Sequence, residues 1–408
     1  MKLAVLGYGT VGSGVVQILE ENRDIISVNA GEDLEIKYVL DLRDFPGDPI
    51  QKKIVHDYNV ILNDSEVEMV VEVMGGVHPA YEFVKGAIEN GKNAVTSNKE
   101  LVAACGAELL ELAHLKNVDF FFEASVGGGI PVIRPMIRCL TADRILKISG
   151  ILNGTTNYML TCMEEDGASY DDVLRQAQEM GFAERDPSAD VEGWDACRKI
   201  AILSSLAGGQ QVDYREIRTI GITGITQADF RYAAALGLRI RLLARASFAP
   251  DGIYVQVGPA LVSSDDPLYA VKGVYNAVKI TGDRLGDVML YGQGAGKDAT
   301  ASAVVSDIIE AARTRRNPYK LKVRWDEKKL ALSPIGEYPS RFLVRLRGRL
   351  DEVKDEIQKK LQPERFLVLD GLEDEFAVVT SAMSDDTLAR ILEGEPGRFI
   401  SRMYLEEV

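Results

Sequence analysis

The sequence predicts an α/β protein of more than one domain, and three observations lead there. Over residues 1–130 short apolar strands alternate with helices, the pattern of a doubly wound parallel sheet. Over residues 131–296 longer strands follow one another through the turn Ala249-Pro250-Asp251-Gly252, which indicates antiparallel pairing in an α+β unit. Residues 340–408 read strand–helix–strand–strand–helix–strand, a third and smaller unit. A chain of 408 residues exceeds what one hydrophobic core organises, so two or three are expected.

In chain order, Lys2 to Leu6 is a short apolar strand that runs straight into Gly7-Tyr8-Gly9-Thr10-Val11-Gly12, and a helix is expected over 13–22. Further strands are expected over 34–40 (ending at Asp41), 67–74, 93–96 and 119–123, with helices over 80–90 and 100–116 between them. In the second unit the clearest strands are 239–247 and 253–261. A glycine-rich stretch, Tyr291 to Lys297, then leads into an apolar-periodic helix over about 297–315 that is expected to complete the first unit. The polar run Thr314-Arg315-Arg316-Asn317-Pro318 marks a boundary, with 316–339 as linker. The last unit has strands at 342–346, 365–369, 375–380 and 399–405 and helices at 351–361 and 386–393.

Composition excludes several function classes. The net charge of −15 repels phosphate backbones and anionic lipid, so neither nucleic acid nor a membrane surface is expected as a partner. No run of about twenty apolar residues exists to span a bilayer, and the apolar N-terminus is too short for a signal peptide. The four cysteines are scattered without metal-ligand spacing, which reads as reduced thiols in a cytoplasmic protein. Only three histidines occur, with no local zinc motif, so the chemistry must rest on other titratable groups.

The glycine loop carries the first chemical signal. Gly7 permits a tight turn, Gly9 lets the backbone approach a pyrophosphate, and Gly12 lets helix and strand pack closely, while the helix N-terminus offers free N–H groups to phosphate. A bare GxGxxG is weak, but one that directly follows a strand and opens a helix is the Rossmann-like context of NAD(P) binding. Asp41, at the end of the second strand, favours the ribose hydroxyls of NAD, whereas Arg43 suits the extra phosphate of NADP. The two point in opposite directions, and the choice stays open.

The second signal is the acid-rich stretch from Gly181 to Lys199, with five acids between Glu184 and Asp195. Asp195 and Lys199 lie one turn apart on an expected helix and share a face. By spacing alone such a pair is an ordinary surface ion pair. The apolar run Ile200-Ala201-Ile202-Leu203 places the helix inside the protein, and the surrounding carboxylates suit a ligand that carries an ammonium group.

Six stretches together are more specific than either signal: LGYGTVGSGVVQIL, TSNKELVA, EASVGGGIPVI, GILNGTTNYML, GFAERDPSADVEGWDACRKIAIL and GQGAGKDATASAVVSDI. In this order, over residues 1–315, the chain resembles a homoserine dehydrogenase. The resemblance implies NAD(P)-dependent interconversion of L-homoserine and L-aspartate 4-semialdehyde, on the route to threonine, methionine and isoleucine. It assigns Lys199 as general acid/base, with Asp195 orienting Lys199 or a water. It also assigns Glu184 to the substrate's ammonium group and Asp190 to a further substrate contact. Lys99, in TSNKE, would hold the substrate carboxylate, assist proton transfer, or touch phosphate or solvent. Ser97 and Asn98 lie on the same loop beside the cofactor, which Tyr8, Thr10, Val11 and Gly294 would also contact; Gly294 equally reads as a plain turn before a helix.

By the same resemblance, Glu123 with the carbonyls of Val126, Gly128 and Ile130 forms a monovalent-cation loop for Na+ or K+, hard oxygen ligands suited to such an ion. Otherwise its glycines only let the chain pass close to the nicotinamide. The last unit resembles an ACT domain, with L-threonine as the implied effector. Its first strand–helix loop, Arg347-Gly348-Arg349-Leu350-Asp351, departs from the usual Asp/Gly order, which leaves packing or oligomerisation as the other reading. The family likeness also implies a homodimer or higher homo-oligomer. Two rival functions remain at this stage, another lysine-dependent NAD(P) dehydrogenase and a dinucleotide-sensing regulator.

Overall fold

Uninterrupted apolar strands need cover on both faces, and the N-terminal strands find it in a parallel sheet. The computed structural model describes residues 1–315, 323–394 and 397–406. Of the expected boundary and linker, residues 316–322 lie outside the described residues. Strands Lys2–Leu6, Glu35–Leu40, Ile54–Val55, Val67–Glu72, Asn93–Thr96 and Phe120–Phe121 form one six-stranded sheet, parallel throughout. Numbered along the chain they lie in the order 3-2-1-4-5-6, so the winding reverses beside the first strand. Open α/β sheets bind ligands at the carboxyl edge of such a switch point.

Helices Thr10–Glu21, Arg23–Ala30, Ala80–Glu89 and Lys99–Lys116 cover the sheet. The late helix Lys297–Thr314 returns to it as expected. There Ala301, Val304, Ile308 and Ala311 are fully buried in one cluster with Leu3, Val5, Val15 and Leu19. Burying a Val, Leu or Ile side chain contributes about 1.5–3 kcal/mol, so this contact anchors the returning chain firmly. It also needs Gly14, whose added Cβ would stand 2.9 Å from the Ala301 methyl.

Most remaining strands form a ten-stranded mixed sheet; two small ladders stand apart, Asp326–Lys329 of the expected linker with Gln210–Gln211, and Pro339–Ser340 with Met383–Ser384. The expected hairpin is there, Arg239–Ala249 against Gly252–Val262, antiparallel across eleven residue pairs. Flanking it are Ile145–Ile151 and the hairpin Tyr275–Gly282 and Gly286–Gln293. The C-terminal unit has the expected order of elements, Phe342–Arg347, Leu350–Leu361, Arg365–Leu367, Glu375–Val379, Asp385–Glu393 and Phe399–Leu405. Its last strand pairs in parallel with Gly252–Val262 at Ala260↔Tyr404 and Leu261↔Leu405, so the unit extends the middle sheet.

Helix Trp194–Gly208 links the two sheets. It opens after Gly193 at φ +88° and closes at Gly209 at φ +70°, left-handed positions that favour glycine. Ala196, Cys197, Ile200, Ala201, Ile202 and Leu203 are buried, as the apolar run predicts. Its side chains meet helix Lys99–Lys116 of the first sheet and the strands of the second. Among the described residues no helix is long and apolar enough to cross a membrane.

Candidate active site

The glycine loop has the geometry the motif requires. Gly7 sits at φ +98° and hydrogen-bonds through its N–H to the Leu40 carbonyl at 2.8 Å. A Cβ on Gly12 would lie 2.0 Å from the Gly7 carbonyl oxygen, whereas one on Gly9 would meet nothing within 4 Å. The loop is therefore closed where helix and strand touch and open where a ligand would approach. Helix Thr10–Glu21 starts without a side-chain cap, which leaves its first N–H groups for an anion. A nicotinamide dinucleotide fits this arrangement. We expect Gly12→Ala to lose about 1–3 kcal/mol of stability and most of its dinucleotide affinity. Calorimetry and an NADPH fluorescence titration check this, and wild-type affinity would contradict the assignment.

Asp41 and Arg43 are bound to each other. The Arg43 Nε and Nη2 atoms reach the two Asp41 oxygens at 2.9 Å each, and the Tyr8 N–H donates to Oδ2 at 2.9 Å. The side-chain bond from Arg43, with backbone N–H donors from Arg43 and Tyr8, outweighs burial and holds the Asp41 carboxyl far below the usual range. Arg43 itself is exposed and stacks over the Phe45 ring at 5.2 Å.

The acid-rich segment and the TSNKE loop converge on one charge cluster. Lys199 donates from Nζ to Asp195 Oδ2 at 2.8 Å and to the Leu152 carbonyl at 2.7 Å. Lys99 reaches the other Asp195 oxygen at 2.5 Å. Lys199 and Asp195 are 7% and 2% exposed, so these charges interact with little water between them. Burial pulls the Lys199 pKa below that of an ordinary lysine; Asp195 opposes the shift and Lys99 adds to it. Burial pushes Asp195 upward, but the two ammonium groups together outweigh it and the carboxyl stays ionised well below its usual range. Lys99 goes the other way: attraction to Asp195 raises its pKa despite burial. Asp190 is raised, first by burial and then by Asp195.

Two residues that the sequence reading did not single out build this cluster. Asn153, the N-cap of helix Gly154–Glu165, donates from Nδ2 to Asp190 at 2.7 Å and to Asp195 at 2.9 Å. Its only advance signal was an asparagine immediately before a helical run, which marks a cap. Glu72, fully buried at the end of Val67–Glu72, accepts from the Thr96 hydroxyl at 2.6 Å and the Met74 N–H at 2.7 Å. Thr96 in turn accepts from the Asn98 N–H at 2.9 Å, and Asn98 caps helix Lys99–Lys116. This chain of bonds fixes the start of the helix whose first residue is Lys99. Ser97 lies within it, half-buried.

Glu184 stands apart. It is exposed on the loop after helix Tyr170–Glu179, and its carboxylate is not among the contacts of the cluster. Gln178 holds the loop through the carbonyls of Glu184 at 3.0 Å and Arg185 at 3.4 Å.

At the expected cation loop, the Glu123 carboxylate accepts the N–H groups of Val132, Ile133 and Arg134 at 2.6–2.7 Å. The side chain thus caps helix Ile133–Arg138. Among the described residues the carbonyls of Val126, Gly128 and Ile130 accept no hydrogen bond. They are the hard-oxygen donors a monovalent cation requires. The Gly128 backbone packs on Gly294, whose carbonyl oxygen would lie 2.3 Å from an added Cβ, so Gly294 closes against this loop.

Comparison with known proteins agrees with the geometry. A model of homoserine dehydrogenase matches residues 131–309, and one of the homoserine dehydrogenase NAD-binding domain matches residues 7–123. The chain belongs to the homoserine dehydrogenase family. A member from Mycobacterium tuberculosis is 40% identical over 374 residues, covering 88% of this chain and 84% of its own length. The crystal structure of a member from Thiobacillus denitrificans superposes with a TM-score of 0.94 at 33% identity, covering 100% of this chain and 98% of that one. A hyperthermophilic archaeal homoserine dehydrogenase mutant in complex with NADPH gives 0.67 at 30% identity. It covers 78% of this chain and 100% of its own, so about a fifth of this chain has no counterpart in that structure. Membership makes the protein an NAD(P)-dependent oxidoreductase and sets aside both rival functions.

Proposed function

We propose that this chain interconverts L-homoserine and L-aspartate 4-semialdehyde with Lys199 as the group that exchanges the substrate proton. The observation that supports this reading is the cluster of buried Lys199 and Asp195 with half-buried Lys99, set between the nucleotide-binding sheet and the middle sheet. Oxidation of an alcohol carbon removes a hydride and the hydroxyl proton together. The nicotinamide dinucleotide, when bound, takes or gives the hydride.

Two of the three hydrogens of the Lys199 ammonium are held, one by Leu152 and one by Asp195. The remaining tetrahedral position is the one that exchanges. Empty, it carries the lone pair that accepts the hydroxyl proton; filled, it donates to the aldehyde oxygen. The lowered pKa raises the neutral fraction that oxidation needs. Lys99 remains charged because Asp195 stabilises its ammonium, which suits it to the substrate carboxylate. Glu184, exposed on its loop, would turn in to hold the substrate ammonium, and Asp190 would supply a further contact.

Tyr8, Thr10, Val11 and Gly12 border the pyrophosphate, with Ser97 and Gly294 also at the cofactor. Arg43 would meet a ribose phosphate, as the NADPH complex of the archaeal relative makes reasonable, while Asp41 would serve the ribose hydroxyls of NAD. The carbonyls of Val126, Gly128 and Ile130, beside Glu123, would hold Na+ or K+, an ion that fixes the loop and takes no part in hydride transfer. The C-terminal unit is read as an ACT-like regulatory domain with L-threonine as effector, and the protein as a cytoplasmic homodimer or higher oligomer in threonine, methionine and isoleucine synthesis.

The test is L-homoserine oxidation followed at the nicotinamide absorbance, with NAD and NADP in parallel. Growth with either establishes the substrate and decides between Asp41 and Arg43. No signal from folded, dinucleotide-binding protein would contradict the substrate assignment.

A further inference from the structure

We propose that Asn153 is a positioning residue for the proton transfer, holding both acceptors of the Lys199 ammonium in place through one side chain and one backbone turn. The inference rests on the reading of Lys199 given above and adds a residue that no family likeness named.

The amide cannot be flipped. Its Oδ1 accepts from the Thr156 N–H at 2.8 Å and from the Thr156 hydroxyl at 2.9 Å, so the acceptor end is committed to the helix start. The Nδ2 end therefore faces the acids, with one hydrogen for Asp190 at 2.7 Å and one for Asp195 at 2.9 Å. Asn153 is 6% exposed, so no water replaces these donors at little cost. The same residue sets the second acceptor. Its extended N-cap backbone, φ −129° and ψ 116°, follows directly on Leu152, whose carbonyl takes the other Lys199 hydrogen. Loss of the side chain would free Asp195 to rotate and would loosen the Leu152 carbonyl together.

A neutral donor is the chemically required choice here. Asp190 and Asp195 come together from different elements and repel each other, and two amide hydrogens bind them without adding charge. A cation would compete with Lys99 and Lys199 for Asp195. An anion would be a third carboxylate beside them. The charged groups that bear on Lys199 are Asp195 on its own helix, Lys99 on helix Lys99–Lys116 and Asp190 on helix Ser188–Val191. Asp190 and Asp195 bond to Asn153 directly, and Lys99 is linked to it through Asp195.

Asn153→Ser and Asn153→Asp separate this role from capping, because Ser and Asp both cap helices well. With the helix start preserved, Asn153→Ser should stay folded and keep its cofactor KM, with a lower melting temperature from the two lost bonds to buried carboxylates. Its kcat for homoserine oxidation should fall about 10–100-fold, the scale of a misplaced catalytic group. Asn153→Asp should move the pH limb of kcat upward, because an added carboxylate stabilises the Lys199 ammonium. If Asn153→Asp does not fold, the serine variant decides alone through kcat and the shape of its pH profile. A serine variant with wild-type kcat and an unmoved pH limb overturns the proposal. Lys199→Ala is run alongside. If it retains activity, the reading of Lys199 has failed. If it is inactive while Asn153→Ser matches wild type, only the role of Asn153 has failed.

Discussion

Lys199→Ala should lower kcat for homoserine oxidation by about 10²–10⁴-fold, the usual worth of a positioned general base. Dinucleotide affinity should stay near wild type, since Lys199 lies on helix Trp194–Gly208 and the glycine loop on the first sheet. The wild-type rate should fall as pH drops through the lowered Lys199 pKa, because oxidation needs the neutral amine. That limb should vanish in the alanine variant. Steady-state kinetics across pH and an NADPH titration measure both. A variant that kept its turnover would remove Lys199 from the reaction.

Asp195→Ala should be damaging in a second way. One carboxylate is shared by two ammonium groups, and it is buried together with Lys199. Removing one partner of a buried pair costs about 3–5 kcal/mol. The loss is limited because Lys199 sheds its proton and Lys99, 39% exposed at its side chain, turns to water. The sign with pH follows from both groups. The Asp195 pKa is depressed in the folded protein, so its contribution is present above about pH 4 and is lost as pH falls toward the lower folded value. Without Asp195 the folded pKa of Lys199 drops further below the unfolded reference of about 10.4, so the deficit shrinks as pH rises toward that value. Urea denaturation of both proteins at about pH 7 and about pH 10 should show the larger gap at the lower pH. An equal gap at both would place the cost elsewhere than in the lysine charges.

The parts of this site that were legible in the sequence are those whose chemistry fits within one local segment. The glycine loop is one strand–turn–helix, and Asp195 and Lys199 are one helical turn apart. Asn153, Leu152 and Glu72 were not legible because their roles arise between elements far apart in the chain. Asn153 meets Asp195 across 42 residues, and Leu152 meets Lys199 across 47. Locally, Asn153 reads as a helix cap and Glu72 as the polar end of an apolar strand. The family stretches did place Lys99 near the site, and the structure adds that it shares Asp195 with Lys199.

The same contrast holds for the fold. The parallel sheet followed from apolar runs and intervening helices. Strands Ile145–Ile151 and Gly286–Gln293 did not stand out. Lys147 and Ser149 break the apolar pattern of the first, for a tertiary reason: both bind Glu406 at 2.8 Å, from the opposite end of the chain. The second is a sheet edge with alternating exposure, and its apolar run, Val288-Met289-Leu290-Tyr291, is short. The joining of the C-terminal unit to the middle sheet rests on two residue pairs, too short a register to leave a sequence pattern.

Chemical rescue of Lys199→Ala tests the central claim most directly. Small primary amines such as methylamine and ethylamine, added to the variant with homoserine and saturating cofactor, should restore hydride transfer, with the rate rising with the concentration of free amine. Restoration would place the missing function at a single amine nitrogen in the space Lys199 vacates. A variant that is folded, binds NADPH and stays inactive at every amine concentration would contradict the assignment of proton transfer to Lys199.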